Sequence, residues 1–332
     1  MNLRSVEQYL PAVGSLAILR MDLDVPEGDN SRLKKSVPTL RYLLDQGSRV
    51  AIIGHKGRPK GIEEKYSLRK VYLDLMGILG NQADLDSVFM ENFNEIKNNQ
   101  ILFFENLRFW PEEEANNDSF MKNLIDHSRA YVNDAFAVAH RRHASIMLHQ
   151  KMDGYYGFAF IEEVEKISHI LENPARPLTI ILGGAKEDKL SYLPDLVKIA
   201  DKILIGGKLP QITNYELPIT NEKINWGKLR RDTLDLSQET INQFIEIINN
   251  SKTIIWAGAM GYYENENSRW GTQKIAEAVA LNPGFKIIAG GETAASVIDL
   301  KLKDKIDYIC SGGGVMLEFL TKGTLPAWEE RS

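Results

Sequence analysis

The sequence predicts an α/β protein of two doubly wound domains with parallel sheets, joined by one long helix. Three observations carry this. Short apolar runs alternate with amphipathic stretches through both halves, a long amphipathic segment FIEEVEKISHILENP (160–174) separates the halves, and the apolar runs of the second half each end in glycine.

In the first half, LAILRMDL (16–23) reads as a strand, VPTLRYLLDQG (37–47) as a helix, RVAIIG (49–54) as a strand and YSLRKVYLDLMGIL (66–79) as a helix. QILFFENL (100–107), DSFMKNLIDHS (118–128) and AYVNDAF (130–136) continue the pattern, so a parallel sheet wrapped by helices is expected over a first domain of residues 1–158. Residues 159–175 form the inter-domain helix, stopped at Pro174 because the residue before a proline is pushed out of helical backbone.

The second domain, 176–314, restarts the alternation with PLTIILGG (177–184), KILIGG (202–207), KTIIWAGAMG (252–261), GFKIIAGGET (284–293) and DYICSGGG (307–314). Both domains are therefore read as Rossmann-like. In open α/β sheets ligands bind at the carboxyl ends of strands, where glycine lets backbone N–H groups approach phosphate oxygens at a helix N-terminus. Five such ends point to a nucleotide-sized anion.

The chain has 332 residues, 43% of them hydrophobic, which is enough for two cores. Cys310 is the single cysteine, so an internal disulfide framework is excluded, and the opening MNLRSVEQYL lacks a secretion-signal pattern. A cytoplasmic, monomeric protein is expected. No apolar run is long enough to span a bilayer, and a net charge of −5 with a pI near 5.8 argues against a nucleic-acid or membrane partner.

Against that acidic background, Arg20, Arg32, His55, Arg58, Arg108 and the run His140-Arg141-Arg142-His143 cluster at expected strand ends and adjoining loops. Guanidinium forks match carboxylate and phosphate oxygens, so several converging on one cleft would bind a small, multiply charged acid. His55, His140 and His143 are three of only six histidines, and a collective electropositive role is expected of them. No His, Cys or carboxylate cluster has metal-ligand spacing.

The segments RMDLDVP, SRLKKSVPTL, GHKGRPKG, ENLRFWPEEEANND and YVNDAFAVAHRRHAS resemble, in order, the signatures of the phosphoglycerate kinase family. That resemblance implies a 3-phosphoglycerate site made of Arg20, Asp22, Asp24, Arg32, His55, Arg58, Arg108, His140, Arg141 and His143, with Arg32 catalytic beside the transferring phosphoryl group. Two departures stand out. Asp24 replaces the family's asparagine, and Ala137-Val138 replaces a small and hydroxylated pair.

In the second half LENPARP followed by Gly183-Gly184-Ala185-Lys186 resembles the family's phosphate loop, one residue shorter than usual. The resemblance implies that Lys186 contacts the phosphoryl group in flight and that Lys189 and Gly206-Gly207 meet the nucleotide, although Lys208 interrupts the family's third glycine. WAGAMGYYE implies ribose binding by Glu264, with Ala257 and Ala259 in place of asparagine and proline. AGGETAA keeps Gly290, Gly291 and Thr293 but has Glu292 where the family has the aspartate associated with Mg²⁺-nucleotide, so Glu292 is the implied metal ligand. CSGGGVMLEFL and LPAW resemble the last glycine turn and the C-terminal segment, 315–332, that packs back toward the first domain.

Only forty-eight residues separate Gly207 from Trp256, which implies deletion of a helix-containing block of the adenine pocket. The remaining 209–244 stretch still resembles the family's strand and its turn around Asp235, and Tyr262, Tyr263 and Trp270 are placed to refill the space.

The expected activity is reversible phosphoryl transfer between 1,3-bisphosphoglycerate and ADP, giving 3-phosphoglycerate and ATP with Mg²⁺, after closure about the 160–174 helix. Two alternatives stay open. One is a non-catalytic phosphoglycerate-binding relative with impaired nucleotide binding, and the other an enzyme using a different phosphoryl donor or acid.

Overall fold

The structure, a computed structural model, describes residues 3–80, 86–212, 221–232 and 234–329. It divides into two compact units, Met1–Val164 with Thr324–Ser332, and Glu165–Gly323. Parts of the 209–244 stretch, residues 213–220 and Thr233, lie outside the described residues, as do 330–332.

In the first unit the elements run β1 (Leu16–Arg20), α1 (Ser31–Asp45), β2 (Arg49–Ile53), α2 (Arg69–Leu79), β3 (Ser87–Met90), β4 (Ile101–Phe104), α3 (Pro111–Glu114), α4 (Lys122–His127), β5 (Ser128–Asn133) and β6 (Gly154–Tyr156), and α5 (Phe158–Glu172) begins in this unit and runs into the second at Glu165. The six strands are parallel in the order β3-β4-β2-β1-β5-β6. Chain order reverses on either side of β1, so the crevice between the carboxyl ends of β1 and β5 is where a ligand is expected. Fully buried Ile18, Ile52, Phe103 and Val132 fill the sheet.

Two readings change here. Helix α1 starts at Ser31, not at Val37, because Leu33, Leu40 and Leu43 make one buried face that overrides Pro38 inside the helix. Arg32 therefore sits on a first helical turn and not in a loop. The edge strands β3 and β6, of four and three residues, lie in stretches the sequence leaves unassigned, being too short for alternation to register.

Helix α5 buries Phe160, Val164, Ile167 and Ile170 at helical spacing. Its N-terminus is anchored by Asp134, just past β5, whose Oδ1 accepts the Phe160 N–H (3.2 Å) and whose carboxyl faces the Ser36 and Thr39 hydroxyls of α1.

The second unit contains β7 (Leu178–Leu182), α6 (Leu193–Ile199), β8 (Lys202–Ile205), β9 (Ile224–Trp226), α7 (Gln238–Asn249), β10 (Thr253–Ala257), α8 (Trp270–Leu281), β11 (Phe285–Ala289), α9 (Gly291–Asp299), β12 (Tyr308–Cys310) and α10 (Gly313–Lys322). Its parallel order, β12-β11-β10-β7-β8-β9, is the dinucleotide-fold order with a switch point between β7 and β10. Trp256, Phe244, Ile275 and Ile288 are buried in its core.

The C-terminal segment begins later than the expected residue 315. Val315, Met316, Leu317, Phe319 and Leu320 bury α10 within the second unit, and Gly323 ends it in the left-handed region. From Thr324 the chain belongs to the first unit: Ala327 N–H donates to Ala139 O (3.1 Å), Tyr156 Oη donates to Ala327 O (2.9 Å), and Trp328 meets Phe160 edge to face. Among the described residues no helix is long and apolar enough to cross a membrane.

Candidate functional site

Parallel strands deliver their carboxyl ends to one edge, and in the first unit that edge gathers the basic residues. Arg20 ends β1, His55 follows β2, Arg108 lies in the turn after β4, and His140, Arg141 and His143 follow the turn beyond β5. Arg32 comes from α1: its Nη1 lies 3.1 Å from Asp22 Oδ2 and donates to Asp24 O (3.1 Å).

The loop bearing His55 and Arg58 is held from three sides. Gly57 N–H donates to Asp24 Oδ1 (3.0 Å), Arg108 Nη1 donates to Gly57 O, and Asn106 Nδ2 donates to Lys56 O (2.8 Å). Asp24, the departure from the family pattern, thus has one carboxylate oxygen engaged by the Gly57 backbone N–H.

Arg20 is fully buried. Its Nε donates to Ser145 Oγ (3.1 Å), Nη1 donates to Met21 O, and Nη2 lies 2.8 Å from His55 Nδ1. Glu113, also fully buried, accepts the Ser145 hydroxyl (2.6 Å) and N–H (3.0 Å). Sequence reading missed Glu113, Ser145 and Asn106. Glu113 is the buried member of the acidic run Glu112-Glu113-Glu114, and nothing in the pattern separates it from the other two.

Burial first, and like charge second, weigh on the cluster. Burial, then Arg141, brings Arg108 down to about 10 despite Glu114 at 3.1 Å. Arg141 is lowered by burial and then by Arg58. His143 falls to about 3 through burial, then Arg108, Arg141, Arg20 and His140, and His55 is held well below its ordinary value by burial and then Arg20. The two histidines are therefore neutral, which corrects the expectation that they add positive charge. The positive charge resides on the arginines, and an anion would relieve it. Asp22 is raised by burial, with Arg32 opposing.

In the second unit three loops interlock at the switch point. Gly184 N–H donates to Ala259 O (2.7 Å), Gly207 N–H to Met260 O (3.1 Å), and Lys208 N–H to Gly184 O (2.9 Å). A Cβ on Gly207 would lie 2.5 Å from the Gly184 backbone, and one on Gly183 2.3 Å from Ala259 O. Several of these glycines are thus required by loop packing. Gly291 and Gly314 instead face open space, and Gly290 takes a φ of 99° that disfavours any side chain.

Lys189 lies in this crevice, its Nζ donating to Gly183 O (2.7 Å) and Ala257 O (3.1 Å). Burial lowers it to about 8, with Glu292 and Asp188 opposing. Thr293 is buried and its Oγ1 accepts the Gly258 N–H (2.8 Å), so it ties α9 to the loop after β10. Gly206 closes the set by donating to Leu182 O. Ala185, Lys186, Glu264 and Glu292 are solvent-exposed, Glu264 further along the loop after β10.

Among the described residues no three His, Cys, Asp or Glu side chains form a metal cluster. Glu292, a single exposed carboxylate in the first turn of α9 beside the open Gly291, is a hard oxygen donor that fits a magnesium ion keeping most of its waters.

Comparison with known proteins places the chain in a family. The phosphoglycerate kinase family profile matches residues 10–215 and 220–323. A phosphoglycerate kinase of Dictyoglomus turgidum is 35% identical over 373 aligned positions, covering 94% of each chain. With 94% of the 332 residues, about 312, spread over those 373 positions, about 61 positions fall opposite a gap in this chain, in keeping with its shortening. The solved phosphoglycerate kinase of Coxiella burnetii superposes with a TM-score of 0.77 at 25% identity over 98% of each chain. That of Pyrococcus horikoshii shares the fold, with a TM-score of 0.82 at 24% identity over 98% of this chain and 97% of its own. This chain belongs to the phosphoglycerate kinase family.

Proposed function

We propose that the chain is a working phosphoglycerate kinase that transfers the acyl phosphate of 1,3-bisphosphoglycerate to Mg·ADP, and in reverse phosphorylates 3-phosphoglycerate from Mg·ATP. The observation that carries this reading is the gathering of Arg58, Arg108 and Arg141 at the carboxyl edge of the first sheet, where burial and then Arg141 bring Arg108 down to about 10 even with Glu114 beside it.

Arg58, Arg108 and Arg141 would hold the acid's phosphate and carboxylate, with Asp22 and Asp24 fixing Arg32 and the Gly57 loop. Arg32 and Lys186 would set fixed positive charge at the phosphoryl group as it moves, which lowers the barrier without a covalent intermediate. Lys189 and the open glycines of α9 and α10 would receive the nucleotide phosphates. Glu292 would hold the nucleotide's Mg²⁺, whose chemistry is to neutralise phosphate charge. Soluble metabolites and one buried cysteine suit a cytosolic setting.

Titration calorimetry with 3-phosphoglycerate and, separately, with MgADP tests this. Saturable binding of both supports the reading, and binding of the acid with none of the nucleotide rejects it.

A further inference from the structure

The neutral His55 stands among arginines, and four segments of the chain determine where its proton lies. The buried Glu113 carboxylate takes the Ser145 hydroxyl hydrogen (2.6 Å), which leaves a Ser145 Oγ lone pair for Arg20 Nε–H (3.1 Å). Arg20, further fixed through Nη1 to Met21 O, then presents Nη2 to His55 Nδ1 at 2.8 Å. A guanidinium has donors only, so Nδ1 must offer its lone pair. A protonated ring would set N–H against N–H and charge against charge. The one ring proton is therefore on Nε2. Among the described residues Nε2 has no hydrogen-bond partner although His55 is only 4% exposed, and the groups acting on the ring are Arg20, Arg108, His143 and Arg141.

We propose that Glu113, Ser145 and Arg20 form a relay that fixes His55 as an uncharged Nε2–H donor aimed at the acid held by the surrounding arginines, which makes Arg20 a positioning residue and not a ligand. The inference rests on reading this cluster as the phosphoglycerate half-site. A neutral donor adds direction without further charge repulsion, and its availability does not change across the pH range in which free histidine titrates.

The experiment is nitrogen-15 NMR of the histidine rings in the full chain without substrate, joined to calorimetry with 3-phosphoglycerate and MgADP. The parent is expected to show His55 with a lone pair on Nδ1 and a proton on Nε2 from pH 6 to 8. Ser145→Ala should lose the single tautomer and bind 3-phosphoglycerate about tenfold more weakly, with MgADP affinity unchanged, and Ser145→Thr, which keeps the hydroxyl, should restore both. If Ser145→Ala does not fold, Glu113→Gln makes the same comparison. A parent with its proton on Nδ1 or on both nitrogens at pH 7, or a Ser145→Ala protein with parental tautomer and affinity, overturns the relay. A parent with the expected tautomer that binds no 3-phosphoglycerate rejects the substrate reading while supporting the assignment of the proton.

Discussion

Lys189 Nζ donates to the carbonyl oxygen of Gly183 at 2.7 Å, bringing an ammonium group to the switch point of the second sheet through a six-residue loop. Ala257 O, 3.1 Å away, is its second acceptor. Burial brings this lysine to about 8, so its charge is sensitive to pH near neutrality.

Nucleotide phosphates favour the charged amine, so binding should draw in a proton as pH rises. MgADP affinity is expected to fall steadily above pH 8, with a log–log slope approaching −1, when followed by calorimetry from pH 7 to 9. Lys189→Arg should flatten that dependence, and Lys189→Ala should cost about 1.5–3 kcal/mol of nucleotide affinity at pH 7. A pH-independent parent would exclude Lys189 from phosphate contact.

The Thr293–Gly258 hydrogen bond predicts a stability effect separable from chemistry. Thr293→Val leaves the buried Gly258 N–H without an acceptor and should destabilise the protein by about 1–3 kcal/mol in urea unfolding. Thr293→Ser keeps the oxygen and should lose less.

Asp134 predicts how stability depends on pH. Burial raises its carboxyl to about 7, with the Ser36 hydroxyl and the Phe160 N–H opposing. The folded state therefore holds a proton that the unfolded chain has released between the ordinary aspartate value of 3.8 and about 7, so this group's contribution is full at low pH and is lost as pH rises through 7. Asp134→Asn removes the titration. Relative to the parent it should gain roughly 2–3 kcal/mol between pH 5 and pH 8. Parallel stability curves for the two proteins would contradict this.

Arg141 predicts a trade between binding and stability. Half-buried among Arg58, Arg108 and His143, it raises the energy of the unliganded cluster. Arg141→Met is expected to weaken 3-phosphoglycerate binding by about tenfold or more, as for a lost charged hydrogen bond, yet leave the unliganded melting temperature equal or higher. A large loss of unliganded stability would show that Arg141 serves the fold.

The buried strands were legible in the sequence because each is an unbroken apolar run of the length a two-sided parallel sheet needs. The edge strands β3 and β6 were not, since three or four residues carry no period. The basic residues were legible as a set. Their division of labour was not: Arg20 is buried by a hydrogen bond to Ser145, 125 positions away, and a long-range donor–acceptor match leaves no local trace. Likewise a glycine beside a predicted strand looks the same whether a phosphate or another loop requires it. Gly207 answers to the Gly184 backbone, whereas Gly291 faces open space.

Phosphoryl transfer by this chain is measured by hydroxylamine trapping of acyl phosphate from MgATP and 3-phosphoglycerate. Hydroxamate is expected to form in step with ADP, to require both substrates, and to be reduced at least a hundredfold in Arg32→Ala at unchanged fold stability, the scale of a lost transition-state charge contact. Binding of 3-phosphoglycerate with no hydroxamate above the enzyme-free rate, or equal turnover in Arg32→Ala, would contradict it.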